Sequence, residues 1–135
     1  MPEKTLITGS AGHLGEALMR SLRAQGRDAR GVDIKPSPFT DRVGSIVDRH
    51  FVRESMAGVD AVLHTATLHK PHVATHSRQD FVDTNISGTL NLLEEALAAG
   101  AGSFIFTSTT RHARPSTGRR RDPRILPRAP SNTTW

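Results

Sequence analysis

The chain has 135 residues, a mass of 14.7 kDa and a net charge of +5 at pH 7, enough for one domain with a real core but short for a nucleotide-binding domain joined to a substrate domain. Cysteine is absent, so disulfides, thiolate metal sites and a cysteine nucleophile are excluded. No apolar run approaches the ~20 residues of a membrane span and Met1-Pro2-Glu3-Lys4 opens no leader pattern, so a soluble cytoplasmic protein is the default expectation.

The first predicted strand is Lys4–Thr8, and it runs straight into Thr8-Gly9-Ser10-Ala11-Gly12-His13-Leu14-Gly15. A helix is predicted over His13–Gln25, with Leu14, Leu18 and Leu22 on its packed face and Gly26 as its stop. Glycines at this spacing between strand and helix suit an anion: Gly9 permits the tight turn, Gly12 lets the backbone approach a pyrophosphate, and Gly15 lets the helix pack close to the sheet. The helix-start N–H groups then face the ligand. Three ordinary turn glycines are the plainer reading.

A second strand is predicted at Ala29–Asp33. Asp33 stands 18 residues beyond Gly15, near the ~20 expected of a carboxylate that bonds adenosine ribose hydroxyls. It favours NAD, because a 2′-phosphate would be repelled there; Lys35 leaves NADP as the alternative, and a solvated turn residue before Pro36 is the plain one. A third strand is expected at Val43–Val47, diluted by Gly44, and a fourth at Ala61–Thr65.

His64 belongs to this buried strand, His69, His72 and His76 follow it, and the four-residue step from His72 to His76 is one that metal ligands use. No third ligand is implied, and these are read as loop or surface histidines. The longest helix is predicted over Gln79–Ala99, with Val82, Ile86, Leu90, Leu93 and Leu97 forming the face that packs on the sheet. The fifth strand is Ser103–Ser108. Strands alternating with helices in this way specify an α/β fold, a doubly wound parallel sheet of about five strands.

With these segments in order, the chain resembles an extended short-chain dehydrogenase/reductase of the NAD-dependent epimerase/dehydratase family. The resemblance rests on the TGxxGxxG spacing from Thr8 to Gly15, "HTAT" at His64–Thr67, "DTNISGTLNLLEEA" at Asp83–Ala96 and "FIFTSTT" at Phe104–Thr110, and covers residues 3–110. It implies that this unit, residues 1–110, is the amino-terminal part of a Rossmann domain. By the same resemblance Gly9, Gly12, His13, Leu14 and Gly15 hold the pyrophosphate, and Asp33 and Ile34 the adenosine ribose. Ser45 and Ile46 fall beside the adenine, where the family commonly has an Asp before the apolar residue; Asp48 is read as a helix cap rather than as its substitute. Thr65, Ala66 and Thr67 fall on the nicotinamide-ribose side, and Thr107 is a further cofactor contact. Asn85 matches an asparagine that fixes backbone around the site.

Thr109 takes the place of the family's catalytic Ser/Thr, whose partners are a Tyr and a Lys in a YxxxK pattern. The chain has no tyrosine, and its lysines are Lys4, Lys35 and Lys70. An unpaired hydroxyl is a poor acid or base near neutral pH, so the expectation is cofactor contact without turnover, with small-molecule substrates, often nucleotide-linked sugars, belonging to full-length relatives.

Residues 111–135 differ in kind. They hold seven Arg against Asp122 alone, whereas residues 1–110 carry three Lys and eight Arg against twelve acids. Pro115, Pro123, Pro127 and Pro130 interrupt any regular element, so disorder is expected, and a frameshifted origin fits a segment so rich in Arg, Pro, Ser, Thr and Ala. Such a tail is read as solvated charge rather than as a nucleic-acid arm, since Trp135 is its only aromatic. A fifth strand left as a sheet edge makes self-association a further expectation.

Overall fold

A computed structural model describes residues 3–68 and 72–108. Thr109, His69 and the expected disorder of 111–135 lie outside the described residues. The elements are β1 (Lys4–Thr8), α1 (His13–Ala24), β2 (Asp28–Asp33), β3 (Arg42–Val43), α2 (Arg49–Ser55), β4 (Ala61–His64), α3 (Arg78–Val82), a π-helical turn (Asp83–Gly88), α4 (Thr89–Ala98) and β5 (Ser103–Phe106). The strands pair in parallel in the order β3-β2-β1-β4-β5. The doubly wound α/β arrangement and the five strands are therefore as expected.

Alternation along the strands sends neighbouring residues to opposite faces. Leu6 of β1, Val32 of β2 and Val62 of β4 meet Phe51 and Val52 of α2 and Leu92 and Ala96 of α4 in one buried cluster. Ile7 points to the other face, where α1 packs with Met19 fully buried. Each of the larger side chains contributes about 2 kcal/mol by leaving water.

Four local expectations change. On α1 the buried positions are Gly15 and Met19, while Leu14 is 44 % exposed. Close approach at Gly15 turns the helix so that the 15/19 face meets the sheet. Strand β3 keeps only two residues, because the chain turns at Ser45, whose carbonyl accepts from Asp48 N–H (3.1 Å), and Asp48 then accepts N–H bonds from His50 (3.0 Å) and Phe51 (3.3 Å) and starts α2. That cap is as expected. The long helix is interrupted by the π turn at Asp83–Gly88. Its packed positions are Gly88, Leu92, Glu95 and Ala96, so the Val82, Ile86, Leu90, Leu93, Leu97 stripe faces outward, at 42 to 82 % exposure.

Glu95 is buried because two arginines of α2 meet it, Arg49 Nε at 3.0 Å and Arg53 Nη2 at 3.2 Å. First Arg53 and then Arg49 hold its carboxyl below the usual range. Among the described residues no helix is long and apolar enough to cross a membrane.

Candidate functional site

In a parallel sheet every strand ends on the same edge, and the chain's chemistry-bearing residues gather on that edge. Going from β1 the chain winds first toward β2 and β3 and then returns to β4 on the other side, so the carboxyl ends of β1 and β4 flank a crevice.

Thr8 ends β1, and Gly9 turns the chain with φ +74° while its N–H and that of Ser10 donate to Val32 O at 2.9 and 3.2 Å. The turn closes when Gly12 N–H donates to Gly9 O at 3.0 Å. Gly12 is also the N-cap of α1, and no side chain caps the helix. The start of a twelve-residue helix thus presents its N–H groups and dipole without a built-in acceptor. A Cβ at Gly15 would overlap the Gly9 carbonyl, so helix and turn meet more closely than any other residue allows. His13 and Leu14 lie exposed at this helix start.

Asp33 ends β2 and is tied to the turn: Ala11 N–H donates to Oδ2 at 3.0 Å, and Lys35 N–H to Oδ1 at 2.9 Å. Each oxygen keeps a further lone pair. Ile34 is 62 % exposed beside it. Beneath them Ser10 Oγ lies 2.9 Å from Thr40 Oγ1, which meets Ser37 Oγ at 2.7 Å. These hydroxyls pin the loop after β2 against the turn.

On the other side of the crevice Thr65 Oγ1 donates to Thr8 O at 2.6 Å, and Thr65 and Ala66 N–H donate to Thr8 Oγ1 at 3.1 and 3.2 Å. Thr67 N–H donates back to Thr65 O at 2.9 Å. The segment 65–67 is thereby laced to the first turn. Asn85, in the π turn, accepts from Leu68 N–H (2.7 Å) and donates to Leu68 O (2.8 Å), holding the chain as it leaves β4. Thr107, just past β5, donates its N–H to His64 O at 3.1 Å and is exposed.

Ser45 and Ile46 are less closely joined to this group. Ser45 Oγ accepts from Val47 N–H at 3.2 Å, and the Ile46 side chain is buried against Gly88 while its carbonyl accepts from Asn91 Nδ2 at 3.0 Å. His72 and His76 stack edge to face with ring centroids 5.5 Å apart. Among the described residues no group of three or more His, Cys, Asp or Glu could hold a metal ion.

Sequence reasoning missed Thr8, Thr40, Leu68 and Thr89 as parts of the site, and placed His64 only in a buried strand. His64 is fully buried, and burial pushes its pKa down to about 4. A polar residue ending an apolar strand was the one available signal; the hydroxyls that meet it are 56 and 25 residues away.

Comparisons with known proteins point one way. The family model described as NAD dependent epimerase/dehydratase matches residues 5–132. Sterol demethylase protein B of Methylococcus capsulatus is 34% identical over 113 residues, covering 78% of this chain and 34% of that protein. A short-chain dehydrogenase/reductase superfamily protein from Agrobacterium tumefaciens, solved with bound NAD, is similar at 38% identity and a TM-score of 0.72, over 79% of this chain and 33% of its own. The UDP-glucose 4-epimerase of Thermotoga maritima, solved with UDP-glucose, gives 27% identity and a TM-score of 0.71 over 78% of this chain and 38% of its own. The chain spans about a third of the length of these relatives.

Proposed function

The chain belongs to the NAD-dependent epimerase/dehydratase family, and we propose that it binds NAD in the crevice between the carboxyl ends of β1 and β4. The observation that carries this reading is the uncapped start of α1 packed onto a glycine turn, with Asp33 fixed to the same turn through Ala11.

The residues present fit a dinucleotide. A pyrophosphate against Gly9, Gly12, His13, Leu14 and Gly15 would complete the open helix start with the acceptors it lacks. Asp33 has carboxylate lone pairs left for two ribose hydroxyls, with Ile34 beside them, and its charge disfavours a 2′-phosphate. Ser45 and Ile46 would border the adenine. Thr65, Ala66, Thr67 and Thr107 would border the nicotinamide ribose, and Asn85 would act one step removed by fixing Leu68.

NAD, when bound, supplies a hydride acceptor. Supporting the proton transfer that accompanies hydride removal takes an acid or base of matched pKa, and these 135 residues contain no tyrosine. Thr109 alone would be a hydroxyl without an activating partner. The reading is therefore cofactor binding without oxidation of a sugar nucleotide by this chain; sugar-nucleotide chemistry is suggested by relatives such as those solved with UDP-glucose. The missing phenol favours, as second reading, a non-catalytic NAD-binding sensor or interaction module.

Calorimetric titration of the purified chain with NAD, ADP-ribose and NADP tests the first reading. NAD and ADP-ribose should bind with similar affinity and NADP more weakly. Failure of both NAD and ADP-ribose to bind would end it.

A further inference from the structure

His64 sits between two hydroxyls on different elements. Its Nδ1 lies 2.7 Å from Thr8 Oγ1 at the end of β1, and its Nε2 lies 2.9 Å from Thr89 Oγ1 at the start of α4. Thr8 and His64 are also paired across the β1–β4 ladder, so backbone register brings the first pair together. Among the described residues Phe104 and Phe106 of β5 also stand beside the ring, with centroids 6.1 and 5.5 Å away. The groups facing it from β1, α4 and β5 are thus two hydroxyls and two phenyl rings, none of them charged or titratable.

The hydrogen positions follow from counting lone pairs. Thr8 Oγ1 already accepts two backbone N–H groups, from Thr65 and Ala66. A hydroxyl has two acceptor sites and one proton, so the Thr8 proton is left to point at Nδ1. Nδ1 must then be bare, the imidazole neutral, and its own proton on Nε2, donated to Thr89 Oγ1.

We infer that His64 is a positioning residue: as the neutral Nε2–H tautomer it joins Thr89 to Thr8 and thereby holds the 65–66 backbone against the glycine turn. A proton on Nδ1 would face an oxygen with no lone pair to offer, so one of the two loop amides would have to let go. Ring charge and loop position are in this way the same variable. The low pKa produced by burial agrees with a ring kept neutral. The consequence for affinity rests on the dinucleotide reading above; the tautomer and the loop do not.

The test uses the full chain labelled with 15N. His64 should show an unprotonated Nδ1 and a protonated Nε2 from pH 8 to below pH 5. The Thr65 and Ala66 amide signals should move only with the His64 ring. Thr8→Val, which deletes the hydroxyl at similar volume, should shift both amides, mix the two tautomers and weaken NAD binding by about fivefold, the size of one hydrogen bond. Thr8→Ser should restore all three. A protonated Nδ1 in the unmodified chain, or loop amides indifferent to the His64 ring, would overturn the inference even if Thr8→Val did not fold. If the unmodified chain bound no NAD, the dinucleotide reading would fall, while the two spectra would still decide the role of His64.

Discussion

At Gly15 a single hydrogen stands where a methyl would meet the Gly9 carbonyl. Because that carbonyl is backbone held by Gly12 N–H, it cannot swing aside as a side chain could. Gly15→Ala should therefore lift α1 off the turn, at an overpacking cost of about 1–3 kcal/mol. A lower melting temperature together with loss of NAD binding is expected. His64 gives a second prediction, with a definite sign. Burial lowers its folded pKa from 6.5 to about 4, so below pH 6.5 the unfolded chain takes up a proton that the folded chain refuses. Stability from this group is complete above pH 6.5 and is lost as pH falls toward 4, on the order of 3 kcal/mol in all. Glu95 and Glu54, whose carboxyls are held low chiefly by Arg53 and Arg42, act in a separate window that opens only below their ordinary value of 4.5. Urea unfolding at pH 7 and pH 5 separates the two, and His64→Asn should flatten the dependence between those values. The glycine turn was legible in the sequence because its spacing is local. The His64 contacts were not, since they depend on a strand register that brings together residues 56 apart.

Among the elements, the long helix shows how a periodic pattern can identify an element and still misassign its face. Apolar residues at 82, 86, 90, 93 and 97 satisfy the helical repeat, yet the sheet-facing positions are Gly88, Leu92, Glu95 and Ala96. Two physical facts conceal this. The π turn at Asp83–Gly88 adds a residue and shifts the faces before and after it by roughly 100°. Glu95 also looks like a surface residue until Arg49 and Arg53 arrive from α2, which is 42 or more residues earlier in the chain. Substitutions should separate the faces. Leu92→Ala should cost about 2–5 kcal/mol in unfolding free energy, as for a buried leucine. Leu90→Gln with Leu97→Gln should leave stability within about 0.5 kcal/mol and reduce any self-association seen by sedimentation velocity, because an exposed apolar stripe is a contact surface. Strand β3 is shorter than its apolar run for a different reason: Ser45 turns the chain through bonds to Val47 N–H and Asp48 N–H, and Asp48 then caps α2.

For the molecule as a whole, alternating strand and helix patterns were enough to foresee a parallel doubly wound sheet, since crossover connections leave few other arrangements. The positions gathered along the carboxyl edge were foreseeable to the same degree wherever they follow directly from a strand end, as Gly9, Asp33 and Thr65 do. Thr40 and Leu68 lie in loops whose course is set by hydrogen bonds to distant residues, Ser10 and Asn85, and nothing local marks them. A ligand that bridges both sides of the crevice should stabilise the whole fold. At NAD concentrations a hundredfold above Kd the gain is about 2.7 kcal/mol, a rise on the order of 10 °C in Tm. Thermal scans with and without NAD measure it, and Asp33→Ala should remove most of the rise.

The clasp between Asn85 and Leu68 has one more implication. The amide grips the peptide groups of residue 68 and ignores its side chain. The spacing along the chain from His64 is then fixed more tightly than the identity of the half-buried side chain at 68. A library randomised at that codon should yield many folded clones, and deleting a single residue from 65–67 should yield none.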